Sequence, residues 1–418
     1  MSNRKKIIFI SFTTYSQENW QKKINIDWEA AHHSTWQTVF AAYLKEYHDD
    51  FDIECWQMYS EDKCRYKGIS VRDGTKNYGL EVNSKRTKGI KFKMFPAKTF
   101  LNQYISFAML SEVKKIIKNK EKVIFHLQSV HGLMNSFISF YCSNTPLVAQ
   151  QRGPNMPPSW KFKFNKNPFY ILLHFLDKFS LNNINYAFAS SIGSTIYLSR
   201  KLGPERVEHL KGGGFNFEKN QPFSKKEMRK ELDLPLDKKI MIYVGRYNKL
   251  KGVDRFIDIF TRLKKEDPEF EAVFIGGNKY EAYYDKAVKS GGIVKEYIPK
   301  DLLLKYMCAT DIHIMPTADI KWIPFSDIST ASLESLALNQ PVVSPTLIHF
   351  LGSRKERDHL SSTKMDIEDI IFDIKRILSY PEKFKNTRKI VEKYYNWERI
   401  INKNVKVYNR LFNDFYDI

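Results

Sequence analysis

The strongest constraint on this chain is an alternation that runs through most of it. Short apolar runs rich in β-branched residues alternate with longer segments whose apolar residues recur every three or four positions. In the second half, Lys239–Val244 (KIMIYV) reads as a buried strand. The pattern then predicts helix Val253–Lys265, strand Glu271–Ile275, helix Tyr280–Lys289, strand Ile293–Tyr297 and helix Lys300–Ala309. Strand Asp311–Met315, helix Thr330–Leu338 and strand Pro341–Ser344 follow. Strands separated by helices cannot pair as hairpins, so the pattern predicts a parallel, doubly wound sheet.

The first half repeats the theme. Strands are predicted at Lys5–Phe12, Phe51–Trp56, Val123–Leu127 and Pro146–Ala149. Helices are predicted from Ser34 and Thr35 onward, at Ile105–Lys118 and at Leu133–Tyr141. Residues 60–98, polar and basic, read as irregular or hairpin structure. Between the halves, residues 203–223 hold four glycines and two prolines and read as a linker. The expected fold class is therefore α/β, with two Rossmann-like domains at 1–205 and 206–384. A last helical stretch at about 385–418 is expected to complete the first domain.

Composition narrows the function classes. Hydrophobic residues make up 43% and charged residues 27% of the 418, as in globular proteins. Four dispersed cysteines, Cys55, Cys64, Cys142 and Cys308, form no disulfide framework or zinc pattern and favour a reducing, cytoplasmic setting. The basic start is followed by too few apolar residues for a signal peptide or a membrane span. The net charge is +20, and residues 1–210 hold 30 Lys and Arg against 17 Asp and Glu. Such a field suits a polyanionic partner, although a lysine-rich composition also arises without one.

Three segments carry chemistry. Val244-Gly245-Arg246 ends a strand, and Lys251-Gly252 closes the next loop. Ligands of doubly wound sheets sit outside the carboxyl ends of strands, where an Arg and a Lys suit a diphosphate. Ser329 or Thr330 can cap the helix of DISTASLESLAL, whose free amides form an anion site. Glu334, one turn inside, can accept hydrogen bonds from a ribose diol. Phe274-Ile275-Gly276-Gly277 ends the next strand with paired glycines. In the first half, His126 and His131 lie in HLQSVHG at a strand's carboxyl end, where they can line a cleft.

In this order and spacing, VGRYNKLKG, FIGG, EYIPKDLLLKYMCATDIHIMPT and SLESLALNQPVVS resemble the nucleotide-sugar half of a GT-B glycosyltransferase of family 4. YNWERIINKNVKVYNRL is similar to that family's closing helix. The resemblance is specific over about 207–418. It implies two Rossmann-like domains facing across a cleft, and retaining, metal-independent transfer from a nucleotide diphosphate sugar of UDP or GDP type, without a further cofactor. It assigns Arg246 and Lys251 to the diphosphate, Glu334 to the ribose, and Gly245, Gly276, Ser329 and Thr330 to the donor pocket. Two positions depart from the family. The first glutamate of its Glu-x7-Glu pattern is Ser326 here, with Asp327 beside it as the candidate substitute. Where a histidine commonly follows the strand at 146–151, Arg152-Gly153 stands instead. Arg152 can act as an electrostatic clamp but not as a base, because guanidinium does not deprotonate.

The segment Pro157–Leu176 interleaves Trp160, Phe162, Phe164 and Phe169 with Lys161, Lys163 and Lys166. Lys85–Lys98 holds six basic residues and no acid. Both suit an anionic bilayer interface. They raise the expectation of peripheral docking on the inner face of the plasma membrane and of a glycan or lipid-linked acceptor. A degraded binding protein of the same fold is the alternative favoured by Ser326. A nucleic-acid-binding protein is permitted by charge, but no recognised motif supports it.

Overall fold

The computed structural model describes residues 5–15, 36–60, 89–100, 103–152, 157–277, 279–317, 321, 323–362, 365–384 and 386–417. The chain divides into two compact units, Met1–Gly213 with Trp397–Ile418, and Gly214–Asn396. Both divisions fall somewhat beyond the expected boundaries at 205 and 384. The first lies inside the Gly212–Gly214 run.

Unit 1 is built on eight strands: β1 (Lys5–Tyr15), β2 (Phe51–Ser60), β3 (Ile90–Phe100), β4 (Gln103–Ile105), β5 (Val123–Leu127), β6 (Leu147–Gln151), β7 (Tyr186–Ala189) and β8 (Val207–His209). Their order is β4-β3-β2-β1-β5-β6-β7-β8, and only the β3–β4 pair is antiparallel. Strands β5 and β6 are buried at every residue, as parallel strands covered on both faces require. Strand order reverses between β1 and β5. The closing helix Trp397–Tyr416 belongs to this unit: the Trp397 ring stacks on Tyr43 at 4.4 Å. Tyr416 Oη donates to the Val123 carbonyl at 3.0 Å.

Unit 2 carries β9 (Lys239–Val244), β10 (Phe270–Ile275), β11 (Ile293–Lys295), β12 (Ile312–Ile314), β13 (Val342–Val343) and β14 (Ser361–Ser362). All are parallel, in the order β11-β10-β9-β12-β13-β14. This is the doubly wound dinucleotide-fold order, with its switch point between β9 and β12. The apolar faces of its helices fill two cores, one around Ile242, Leu333 and Tyr395 and one around Tyr243, Phe256 and Phe274.

Several expectations need correction. Of residues 60–98, expected to be irregular or hairpin structure, 90–98 belong to strand β3, which pairs parallel with β2 and turns back antiparallel into β4. The supposed linker contains β8, whose Ala187↔Val207 register extends the sheet. The helix Thr387–Tyr395 stays with unit 2 rather than closing unit 1. It is held there because the Arg388 guanidinium donates to the carbonyls of Ala337 and Asn220, each at 2.9 Å. Cys55, Cys142 and Cys308 are free and buried. Cys64, Gly153 and residues 85–88 lie outside the described residues. No described helix is long and apolar enough to cross a membrane.

Candidate functional site

In unit 2 the donor-site candidates fall on the loops after β9, β10 and β12, at the carboxyl edge that flanks the switch point. Glycine sets how closely these loops approach. Gly245 N–H continues the ladder to the Ile275 carbonyl at 2.9 Å. Gly276, at φ +101°, faces the Gly245 backbone, which a Cβ there would meet at 3.3 Å. Gly252 is left-handed at φ +76°, and a Cβ would collide with the Pro316 carbonyl on the loop after β12. No side chain is tolerated between these two loops.

The Arg246–Lys251 segment is fixed by its own hydrogen bonds. Tyr243 Oη donates to the Arg246 carbonyl at 2.9 Å, and the Tyr247 amide donates to Glu281 Oε2 at 2.5 Å. Asn248 Oδ1 accepts the Lys251 amide at 3.0 Å, shaping the turn Lys249–Lys251. The buried Tyr247 ring lies against Gly277 and stacks on Tyr284 at 6.1 Å. Arg246 is left exposed and Lys251 half-buried at the rim.

On the other side of the switch point, the helix Thr330–Ala337 begins on the same edge. Ser329 caps it, accepting the Ser332 amide at 2.9 Å. Thr330 is exposed at the first helical position, where amides lack intrahelical acceptors. The helix is anchored in two further places. Ser335 Oγ meets His313 Nδ1 at 2.7 Å, and Thr387 Oγ1 donates to the Leu336 carbonyl at 2.7 Å. Burial pushes the His313 imidazole down to about 3, so it is neutral. Glu334 is 8% exposed and is paired with the Lys300 ammonium. Lys300 opens the helix Lys300–Ala309 after β11, on the same edge. Ser326 is buried and Asp327 half-buried in the segment that His349 Nε2 ties through the Ile323 carbonyl at 2.6 Å. Burial pushes the His349 imidazole down and the Tyr395 phenol up; the nearby Asp327 carboxylate opposes the first shift and adds to the second.

In unit 1, His131 and Arg152 follow β5 and β6 on the carboxyl edge. His131 Nδ1 meets Asp177 Oδ2 at 2.5 Å, with side chains 5% and 1% exposed. Its ring packs edge-on against Tyr197 at 5.6 Å. The Asp177 carboxylate thus holds the ring through Nδ1 and fixes its orientation. The loop is locked by Gln151, whose Oε1 accepts the Val130 amide at 3.0 Å. Arg152, the next residue, is half-buried. His126 does not line a cleft as expected: it is fully buried within β5, bonded to Tyr408 Oη at 2.6 Å and packed between Phe9 and Phe40. Burial pushes its pKa down to about 3. It is a core residue, because β5 is covered on both faces and His126 lies on the one packed against Phe9, Phe40 and Tyr408.

Lys300, Asp177, Tyr408 and Glu281 were missed by sequence reasoning. Three of them act across 34 to 282 residues, as the Glu334, His126 and Tyr247 pairings show. Asp177 did leave a signal, being the one acid in the apolar run FYILLHFLDKF.

Residues 224–394 match the family model described as Glycosyl transferases group 1. TuaC of Bacillus subtilis, named as a putative teichuronic acid biosynthesis glycosyltransferase, is 30% identical over 120 residues, 29% of this chain and 28% of that protein. A D-inositol 3-phosphate glycosyltransferase of Streptosporangium roseum is 27% identical over 158 residues, 34% of this chain and 35% of that protein. The chain thus spans about a third or less of the length of these curated relatives. Solved structures resemble nearly the whole chain, two of them as follows. Sucrose-phosphate synthase from Thermosynechococcus elongatus has TM-score 0.66 at 15% identity, covering 98% of this chain and 100% of that one. Anabaena Alr3699/HepE in complex with UDP has TM-score 0.67 at 12% identity, covering 97% and 100%. The fold is of the GT-B class, with two Rossmann-like doubly wound domains.

Proposed function

We propose that the chain is a glycosyltransferase that moves a sugar from a nucleotide diphosphate sugar, of UDP or GDP type, to a glycan or lipid-linked acceptor in cell-surface glycan assembly. One observation carries the reading: at the switch point of unit 2, a glycine-tightened loop bearing Arg246 and Lys251 shares an edge with the capped start of the Thr330–Ala337 helix. Cations and helix amides together are suited to a diphosphate. The match of residues 224–394 to Glycosyl transferases group 1, and the UDP held by the structural neighbour from Anabaena, support it.

In this reading the bond from the anomeric carbon to the diphosphate oxygen breaks, and a bond to the acceptor oxygen forms on the same face. The charge developing on the leaving diphosphate is met by Arg246, Lys251 and the amides after Ser329, without a metal ion. Preorganised charge of this kind is usually the largest catalytic contribution. The acceptor proton ends on the leaving phosphate. Glu334, held by Lys300, accepts the ribose hydroxyls. On unit 1, His131 and Arg152, on the carboxyl edge after β5 and β6, are the candidates for the acceptor side. Asp327 replaces the missing glutamate. Peripheral docking on an anionic membrane surface belongs to the same reading.

A second reading, a binding protein with a degraded site, is favoured by Ser326 alone. Release of nucleoside diphosphate from a panel of nucleotide sugars separates the two. Turnover by the parent protein, reduced about 10²-fold or more in Lys251→Ala, supports transfer. Tight nucleotide-sugar binding with no release under any acceptor condition supports the degraded site.

A further inference from the structure

We infer that the outer face of the helix Phe169–Asn182 is the surface that docks on an anionic lipid bilayer. This rests on the membrane part of the reading above and names the partner surface. The helix buries Leu173, Asp177, Ser180 and Leu181. Its other side presents Ile171, Leu172, Phe175 and Phe179, which are 40%, 48%, 57% and 67% exposed. At helical spacing these four fall within an arc of about 100°. A helix facing water carries polar residues there; on this one only Lys178 and Asn182 interrupt the apolar stripe.

The charge around the stripe is of one sign. Lys163, Lys166, Lys178, Arg200 and Lys201 are exposed on this helix, on its neighbours Pro158–Asn165 and Ile192–Leu202, and on the link between them. The one acid on these three helices is Asp177, which is 1% exposed and turned inward to His131. An apolar helical stripe with a cationic rim is the pattern of an interfacial helix. A second copy of the chain would bring the same cations and no acid to the contact, so self-association is disfavoured. In the other basic stretch, two of the described cations are taken up within the fold: Lys93 pairs with Glu54 and Glu112, at 3.4 and 3.1 Å, and Lys91 with Asp52 at 3.6 Å.

The consequence concerns the acceptor. The buried face of the docking helix supplies Asp177 to His131, so the loop after β5 lies about one helix diameter, roughly 10 Å, beneath the bilayer surface. A lipid-anchored hydroxyl is presented at that depth.

The test is co-sedimentation of the full-length protein with zwitterionic vesicles, with and without an anionic phospholipid, at low salt. Phe175→Glu/Phe179→Glu is run beside the parent, with melting temperature and nucleotide-induced stabilisation as controls for folding. The parent is expected to sediment only with anionic vesicles, and the double variant to lose partitioning about tenfold or more at unchanged melting temperature. Undiminished sedimentation of the variant would overturn the assignment to this helix while leaving membrane docking intact. Failure of the parent to sediment would overturn both and leave the donor-site reading standing. A dimer in light scattering that the double substitution dissociates would assign the face to a second copy instead.

Discussion

At the scale of single residues, two glycines with nearly the same φ separate conformational cost from steric cost. Gly252 and Gly291 have φ of +76° and +75°, yet a Cβ at 291 meets nothing within 4 Å, while at 252 it strikes the Pro316 carbonyl. Gly291→Ala is expected to cost about 1–2 kcal/mol through the left-handed backbone alone. Gly252→Ala is expected to cost more and to weaken nucleotide binding, because the two loops must part; chemical denaturation and nucleotide titration of both variants measure this. Buried imidazoles set a second expectation. His126 and His313 are each pushed down to about 3 by burial, so the unfolded chain binds their protons first as pH falls below about 6.5. The stability they permit is therefore complete near neutrality and is lost from about pH 6.5 down towards 3. At pH 5 each is expected to remove about 2 kcal/mol, read from denaturant midpoints at the two pH values. His313→Asn should flatten the dependence for unit 2.

At the scale of elements, the closing helix Trp397–Tyr416 shows how a distant segment completes a core. Tyr408 lies 282 residues from His126, yet its hydroxyl is the partner of the buried Nδ1. Tyr408→Phe is expected to cost about 1–3 kcal/mol by leaving that nitrogen without its hydroxyl, a loss visible in the melting of unit 1. Most strands and helices were legible in the sequence because burial on both faces writes continuous apolar runs, as in β5 and β9. β3 was not, because its outward lysines, Lys91 and Lys93, mask the pattern while pairing with acids on β2 and the next helix. β7 and β8 are too short, and β8 too close to the glycines, for periodicity to register. The strand-end glycines and the Ser329 cap were legible because local geometry demands those residue types. Pairings such as Glu334 with Lys300 and His131 with Asp177 were not, since nothing local encodes them.

At the scale of the whole molecule, two sheets of one design carry two chemistries. The carboxyl edge of unit 2 gathers Arg246, Lys251, Ser329, Thr330 and Glu334 around its switch point. That of unit 1 presents His131 and Arg152, on a body whose outer helix is apolar and rimmed with cations. Sugar transfer stands or falls on the first of these edges. Its most direct test is a calorimetric titration of UDP, GDP, ADP and CMP into the parent protein, Lys251→Ala and Glu334→Ala. A working donor site requires one nucleoside diphosphate to bind the parent, and each substitution to weaken it about tenfold or more, as loss of a charged hydrogen-bond partner implies. A folded parent that binds none of the four, or that binds one equally well in both variants, would contradict it.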